Sequence, residues 1–492
     1  MIAPEQTYWD IVKGQFRKNR TAVAALYLTI GLFGLAIVAP LLATSSPFYL
    51  STKDGTEFPW FRDLFDQNRF QGGVDLFFNL LLVATPFVYL ATRLLPTKRV
   101  LQVSGVVILY VYFCMAGPKD WLESDVGRIA FFPQRVLRYS YDKVDYLDLQ
   151  ETRLGRILAE QKIEVFERRL EQSRAARAAL AAAEAEALEA GADLTDDARA
   201  NAEAKELAAD DQVKSAEREL AAWRAKLEKL EKMAEDPAFA YTVVMPPIGY
   251  HHDDNDEERI VERPTWSGWG AGHFLGTDRN GRDVLARILY GTRVSLTIGV
   301  IAVAIYCTIG TILGALAGYF GGWVDILIMR LVEIMICFPV FAFILIVVAV
   351  TGSKNIFLLM VVIGVVRWIG VTRLIRGQFL TERSLDYVVA AQALGIPSRR
   401  IVFKHVLPNA IHPMFVAATF GVAAAILLES GLAFLGLGDP RVPSWGQLLL
   451  EGRQTGKLWL ILSPGVAIFI TVTLLNLVGE GLRDALDPKL RQ

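Results

Sequence analysis

The chain has 492 residues, 53% of them hydrophobic and 21% charged, and its mean hydropathy is +0.34. The 51 basic and 52 acidic residues almost cancel, so there is no electrostatic case for nucleic acid. The apolar residues are gathered into long uncharged blocks, which excludes a wholly soluble enzyme, a disordered chain and a disulfide scaffold.

A membrane-spanning helix needs about 20 mostly apolar residues. Eight stretches meet or approach that length: 22–43, 74–95, 100–117, 294–317, 328–351, 355–375, 410–437 and 458–479. The first follows Lys13, Arg17, Lys18 and Arg20, and its apolar core is too long for a cleaved signal. It reads as a retained helix with a cytoplasmic N-terminus. That orientation puts Arg93, Lys98 and Arg99 on the inner side, together with Arg373, Arg376, Arg383, Arg399, Arg400 and Lys404. An even number of spans leaves both termini in the cytoplasm and 118–293 outside. The three cysteines, Cys114, Cys307 and Cys337, fall inside apolar blocks and read as small buried hydrophobes.

Between the third and fourth stretches lies a segment rich in Ala, Glu, Lys, Arg and Leu. Val213, Ala216, Leu220, Trp223, Leu227 and Leu230 recur at alternating spacings of three and four, as on a heptad seam. Ile163, Phe166 and Leu170 share the rhythm. Gly191 suits a helix C-cap, and Thr195 to Asp197 supply a cap and an acidic first turn. The pattern predicts an antiparallel helical hairpin over 144–234, a coiled coil with arms about 60 Å long at 1.5 Å per residue. An arm of that length suits reaching out to a binding protein or another envelope component. Next comes His251-His252-Asp253-Asp254, which reads as an acidic, solvated loop rather than a metal site.

No phosphate-binding loop, nucleophile elbow or His-Glu-x-x-His motif is present. Ionisable residues within spans mark a cavity or a partner. Arg367 and Glu429 are such candidates, for a path or for a mutual pair. Asp278, Arg282 and Asp283 are candidates for a gate, or for a network that caps a helix. Arg330 and Glu333 suit a salt bridge, and Gly291 and Gly299 suit close packing.

Three segments are distinctive: the run His273–Leu296 with Gly-Thr-Asp-Arg-Asn-Gly-Arg-Asp; Tyr387–Gly395 followed by His405-Val-Leu-Pro-Asn409; and Glu429–Gly438 with Pro443-Ser-Trp-Gly446 and Gly481–Pro488. Together with Phe16–Arg20, they resemble the C-type permease subunit of oligopeptide/dipeptide ABC importers, over about 1–43 and 273–488. The resemblance implies an all-α polytopic bundle of the type I importer class in a bacterial inner membrane. It implies a cytoplasmic coupling loop at 387–409, matched at Ala390, Ala391, Gly395, Leu407 and Pro408. His405 stands where the peptide branch often has His, and Val389 stands where the family usually has Glu. It also implies two ATPase subunits that bind ATP and Mg, a second homologous permease subunit and an extracytoplasmic substrate-binding protein. The chain itself would bind no cofactor and would touch only these partners and membrane lipids. Peptides, nickel chelates and modified peptides are cargoes of such importers. The alternative is an envelope adaptor that uses a permease-like core to anchor the hairpin. Four parts follow: 1–43; 44–117, with two additional spans; the insert 118–272; and the core 273–492.

Overall fold

In the computed structural model, the described residues are 8–52, 55–65, 73–94, 96–116, 159–160, 163–164, 166–179, 181–182, 196–235, 242–255, 260–265, 273–352 and 354–486. Asn19 separates helices α1 (Tyr8–Lys18) and α2 (Arg20–Leu42), and its side chain accepts from the Ala22 amide. Strands β1 (Tyr49–Thr52) and β2 (Gly55–Glu57) pair antiparallel. After α3 (Pro59–Asp63) come α4 (Gly73–Leu94) and α5 (Thr97–Ala116), which pack on each other.

The next described helices are α6 (166–179) and α7 (Asp196–Glu235). Leu170, Val213, Ala216 and Leu220 are buried together, with Ile163 and Phe166 packed against them. Arg224 pairs with Glu167, Arg174 with Glu217 and Arg177 with Asp210, at 2.7 to 2.9 Å. Numbering rises on one helix as it falls on the other, so α6 and α7 lie antiparallel. The expected turn at Gly191 to Thr195 lies outside the described residues. Strand β3 (Thr242–Val244) then adds to the free edge of β1, with Leu50 opposite Val243. Ile248 bridges to Ala43, so the chain returns beside the C-terminal end of α2.

The core follows as α8 (Val284–Phe320), α9 (Gly322–Ile336), α10 (Val340–Thr351) and α11 (Ile356–Arg383). Four short elements come next: α12 (Asp386–Ala393), α13 (Ser398–Ile401), one π-helical turn over Val402–Val406, and α14 (Leu407–Ala410). The chain ends in α15 (His412–Phe434), α16 (Trp445–Thr455) and α17 (Leu458–Leu486).

Among the described residues, six helices are long and apolar enough to cross a membrane: α2, α4, α8, α11, α15 and α17. The expected span 328–351 is instead two helices, α9 and α10, bent by 81°. Pro339 explains the break, since it offers no amide to the preceding turn and disfavours helical geometry at Phe338. Cys337 is exposed at this break, unlike the buried Cys307. The expected span 100–117 falls in α5, which is 20 residues long and carries no charge after Arg99. Among the described residues, length and composition give six spans, or seven if the bent pair is one.

Lipid is as apolar as leucine, so helices in a membrane associate through close packing. Helix α8 packs most extensively on α11, through Gly310, Gly314 and Gly318. A Cβ at these positions would sit 2.6 Å from Val371 Cβ, 2.6 Å from the Thr372 carbonyl and 2.5 Å from Phe379 Cβ. This stripe went unread in the sequence, although its spacing of four marks it. Gly291 and Gly299 do permit close packing, against Trp445 and Val422.

Candidate functional site: the coupling segment and the buried charges

Helix α11 ends at Arg383, whose guanidinium donates to the Tyr319 carbonyl at 2.8 Å. Arg376, two turns earlier, holds Asp325 of α9 through two bonds at 2.5 and 2.6 Å. These arginines lock the end of α11 to α8 and α9. Helix α12 is closed by a left-handed residue, Gly395, at φ 69°. The Ile396 amide donates to the Ala391 carbonyl and the Gly395 amide to Gln392, the pattern of a Schellman cap. Any side chain at 395 would strain this backbone, although the space beside it is open. A charged probe there would test the cap and docking together, and a neighbour is the better probe.

The segment has two faces. Val388, Ala391, Ile401, Val406 and Ala410 are buried against Ile375 and Phe379 of α11. On the other side Leu394 is 80% exposed, Phe403 64% and Val389 51%. Ala390, Gly395 and Pro408 are also exposed, and His405 and Leu407 are half-buried. The matched small residues are thus split, with Ala391 turned into the bundle and Ala390 outward. Tyr387 ties the ends together. Its hydroxyl donates to Glu382 at 2.5 Å and accepts from Asn409 at 3.2 Å. Burial and the Glu382 carboxylate raise its pKa above the usual phenol value, so it stays a donor.

The other expected site residues separate. Asp283 caps α8, accepting from the Ala286 amide at 2.7 Å, and its second oxygen lies 2.8 Å from His273 Nδ1. Asp278 belongs to a different, buried cluster. It accepts from the Asn280 and Arg282 amides, from Arg282 Nε at 2.8 Å and from Arg287 Nη1. Glu451 of α16 completes the cluster, accepting from Arg287 at 2.8 and 2.9 Å and from Arg282 at 3.1 Å. Burial works to raise the Asp278 pKa, but Arg287 and Arg282 prevail and hold it below the usual carboxylate value. The capping reading is thereby the one the geometry favours. Arg287 and Glu451 were missed, because their partnership joins residues far apart in sequence.

Glu429 is buried inside the bundle, beside the Ser430 and Ser444 hydroxyls. It does not pair with Arg367, which is exposed on α11. The surface pair is Arg330 with Glu333, at 2.6 Å. The motif Pro443–Gly446 is structural. Ser444 caps α16, Trp445 is fully buried and donates to the Ile288 carbonyl at 3.1 Å, and Gly446 lies against Ser430 and Ala433.

A second buried charge was also missed. Pro40 has no amide to give the Ala36 carbonyl, four residues back in α2. Arg293 Nε donates to that carbonyl instead, at 2.6 Å. Its other nitrogens reach Asp75 at 3.2 Å, Asn79 at 2.9 Å and the Ile37 carbonyl at 3.2 Å. One guanidinium thus joins α8, α2 and α4.

Residues 310–492 match the family described as binding-protein-dependent transport system inner membrane component, and residues 7–59 match the N-terminal TM domain of oligopeptide transport permease C. The oligopeptide transport system permease protein OppC of Haemophilus influenzae is 42% identical over 245 residues, covering 49% of this chain and 78% of that protein. This chain belongs to the C-type permease family of oligopeptide and dipeptide ABC importers. It is a multi-span permease subunit of such an importer. The dipeptide transport system permease protein DppC of Alkalihalophilus pseudofirmus is 41% identical, covering 46% of this chain and 74% of that protein. OppC of Escherichia coli is 40% identical, covering 51% of this chain and 84% of that protein. About half of this permease therefore lies outside each match.

Proposed function

We propose that this permease forms half of a translocation path for peptides or related small solutes, beside a second homologous permease subunit, and that two ATPase subunits drive it through residues 387–409. The observation that carries the reading is the two-faced segment: Val388, Ile401 and Val406 fix it to the bundle, and Leu394, Phe403 and Val389 remain open. Outside a membrane, an exposed apolar patch on a rigid support favours a protein partner. Arg399, Arg400 and Lys404 surround it with exposed positive charge suited to acids on that partner. ATP and Mg would be bound by the ATPase subunits, whose closure would move the segment and tilt α11 with it. The peptide assignment rests on relatives named for oligopeptides and dipeptides. Arg367 is the residue we assign to the path, because an exposed charge within an apolar helix favours a wet cavity or a partner. Asp278, Arg282, Asp283 and Glu429 hold the frame of that path.

For orientation, we place 387–409 and both termini in the cytoplasm and the insert outside. The pairing of β1 with β3 supports this, since it returns the chain to the end of α2 from which it left. An even number of crossings between them is then needed, and α5, 20 residues long, is the return partner of α4. The α6–α7 pair is on this reading an external coiled-coil hairpin, suited to receiving a binding protein. Its apolar seam and cross-helix ion pairs favour the hairpin over association with another chain.

The test is reconstitution of the complex in proteoliposomes. The chain should co-purify with two ATPase subunits and a second permease, and should support ATP-dependent uptake of short peptides delivered by the binding protein. A chain that purifies free of ATPases would favour the adaptor reading.

A further inference from the structure

The chain re-enters the core through residues 248–254. Ile248 is held in both directions, donating to the Leu42 carbonyl at 2.9 Å and accepting from the Thr44 amide at 3.2 Å. A tight turn follows. The Asp254 amide donates to the His251 carbonyl at 3.2 Å, and the Asp254 carboxylate accepts from the His251 amide at 2.7 Å. Adjacent histidines in an extended chain would point apart, but this turn brings them to one side. Their ring centroids lie 4.1 Å apart, and both rings pack on Tyr290 of α8, at 5.0 and 4.6 Å. The segment is therefore not the solvated loop expected from its composition: His251 and His252 are 1% and 2% exposed.

We propose that His251, His252 and Asp253 form a binding site for a divalent transition-metal cation of the zinc class, which fastens the returning insert to α8. Donor atoms of the three residues lie within 4.8 Å of one another. Ligands sharing one zinc at 2.0–2.2 Å sit about 3.3 Å apart, so a modest rotation of the half-exposed Asp253 closes the set. His252 Nε2 is buried and has no hydrogen-bond partner, and a lone pair in that state suits a cation. His252 Nδ1 lies 3.1 Å from Asp253 Oδ1, so the carboxylate is already within reach of this imidazole. Two imidazoles and a carboxylate are a borderline donor set, which selects zinc, cobalt or nickel over magnesium or calcium. The neighbouring cations Arg282 and Arg287 are already matched by Asp278 and Glu451, so they leave little net repulsion.

The test uses the untagged full-length chain in detergent, stripped of metal by a chelator and titrated with Co(II). The expected result is a visible ligand-field spectrum that saturates at one equivalent and is bleached by one equivalent of Zn(II). His252→Ala should weaken Co(II) binding by at least about tenfold. A wild-type chain that gives no stoichiometric spectrum would overturn the proposal. So would an unchanged spectrum in His252→Ala. X-ray absorption on the zinc-loaded wild type decides the matter without a variant: scattering from two imidazoles is expected, and a shell without imidazole contradicts the site.

Discussion

Helix α4 and the α6–α7 pair both lie between the two segments that match the family, yet they are held by opposite means. Helix α4 gives Asp75 and Asn79 to Arg293, a fully buried guanidinium shared with two carbonyls of α2. The α6–α7 pair is crossed by ion pairs whose side chains are about half exposed. A charge pair in water is screened and contributes little, whereas a buried charge that loses its partner is left without solvent or counter-charge. The comparison therefore sets the two apart: α4 is tied to α8 and α2 by a buried charge, and α6 and α7 are joined by half-exposed ones.

The largest expected effect comes from cutting the buried pair. Asp75→Ala should cost about 3–5 kcal/mol, because Arg293 stays buried with its charge unmatched. Thermal unfolding of the full-length chain in detergent measures this. The double variant Asp75→Leu with Arg293→Met should recover most of the loss, since two apolar side chains remove both charges. A double variant no better than the single would mean that the hydrogen bond to the Ala36 carbonyl carries the stability. An intermediate effect is expected from Gly314→Leu, where a side chain meets the Thr372 carbonyl at 2.6 Å. Overpacking of this kind costs about 1–3 kcal/mol and should separate α8 from α11. The smallest effect belongs to the hairpin. Arg224→Ala should change stability by about 0.2–1 kcal/mol and leave transport as it was. Replacing Leu158–Glu231 with a Gly/Ser linker sharpens the contrast. It should spare the folding of the core and lower uptake only when the binding protein is limiting.

Much of this division can be read in the sequence. The apolar blocks gave the long helices, the heptad seam gave α6 against α7, and a capping network was one of the two readings open to Asp278, Arg282 and Asp283. Local signals have a local origin: a period, a cap or a charge-free run is written in neighbouring residues. The buried pairs are not. Arg293 finds Asp75 218 residues away, and Arg287 finds Glu451 164 residues away. The bend at Pro339 was within reach, because proline next to a phenylalanine in an apolar run is a break signal. His251 and His252 misled because a run of acids and histidines usually belongs to solvent, while here Tyr290 and the turn at Asp254 bury the rings. At the coupling segment the family pattern located the element, but not which small residues face outward. That depends on the packing of Val388 and Ala391 against α11.

The central claim is that the open face of 387–409 receives the ATPase subunits. Leu394→Glu tests it most directly, since this side chain is 80% exposed. In the reconstituted complex, the variant should insert and unfold as wild type does, while binding-protein-stimulated ATP hydrolysis falls to the basal rate. Stimulated hydrolysis at the wild-type level in a fully charged Leu394→Glu complex would contradict the account.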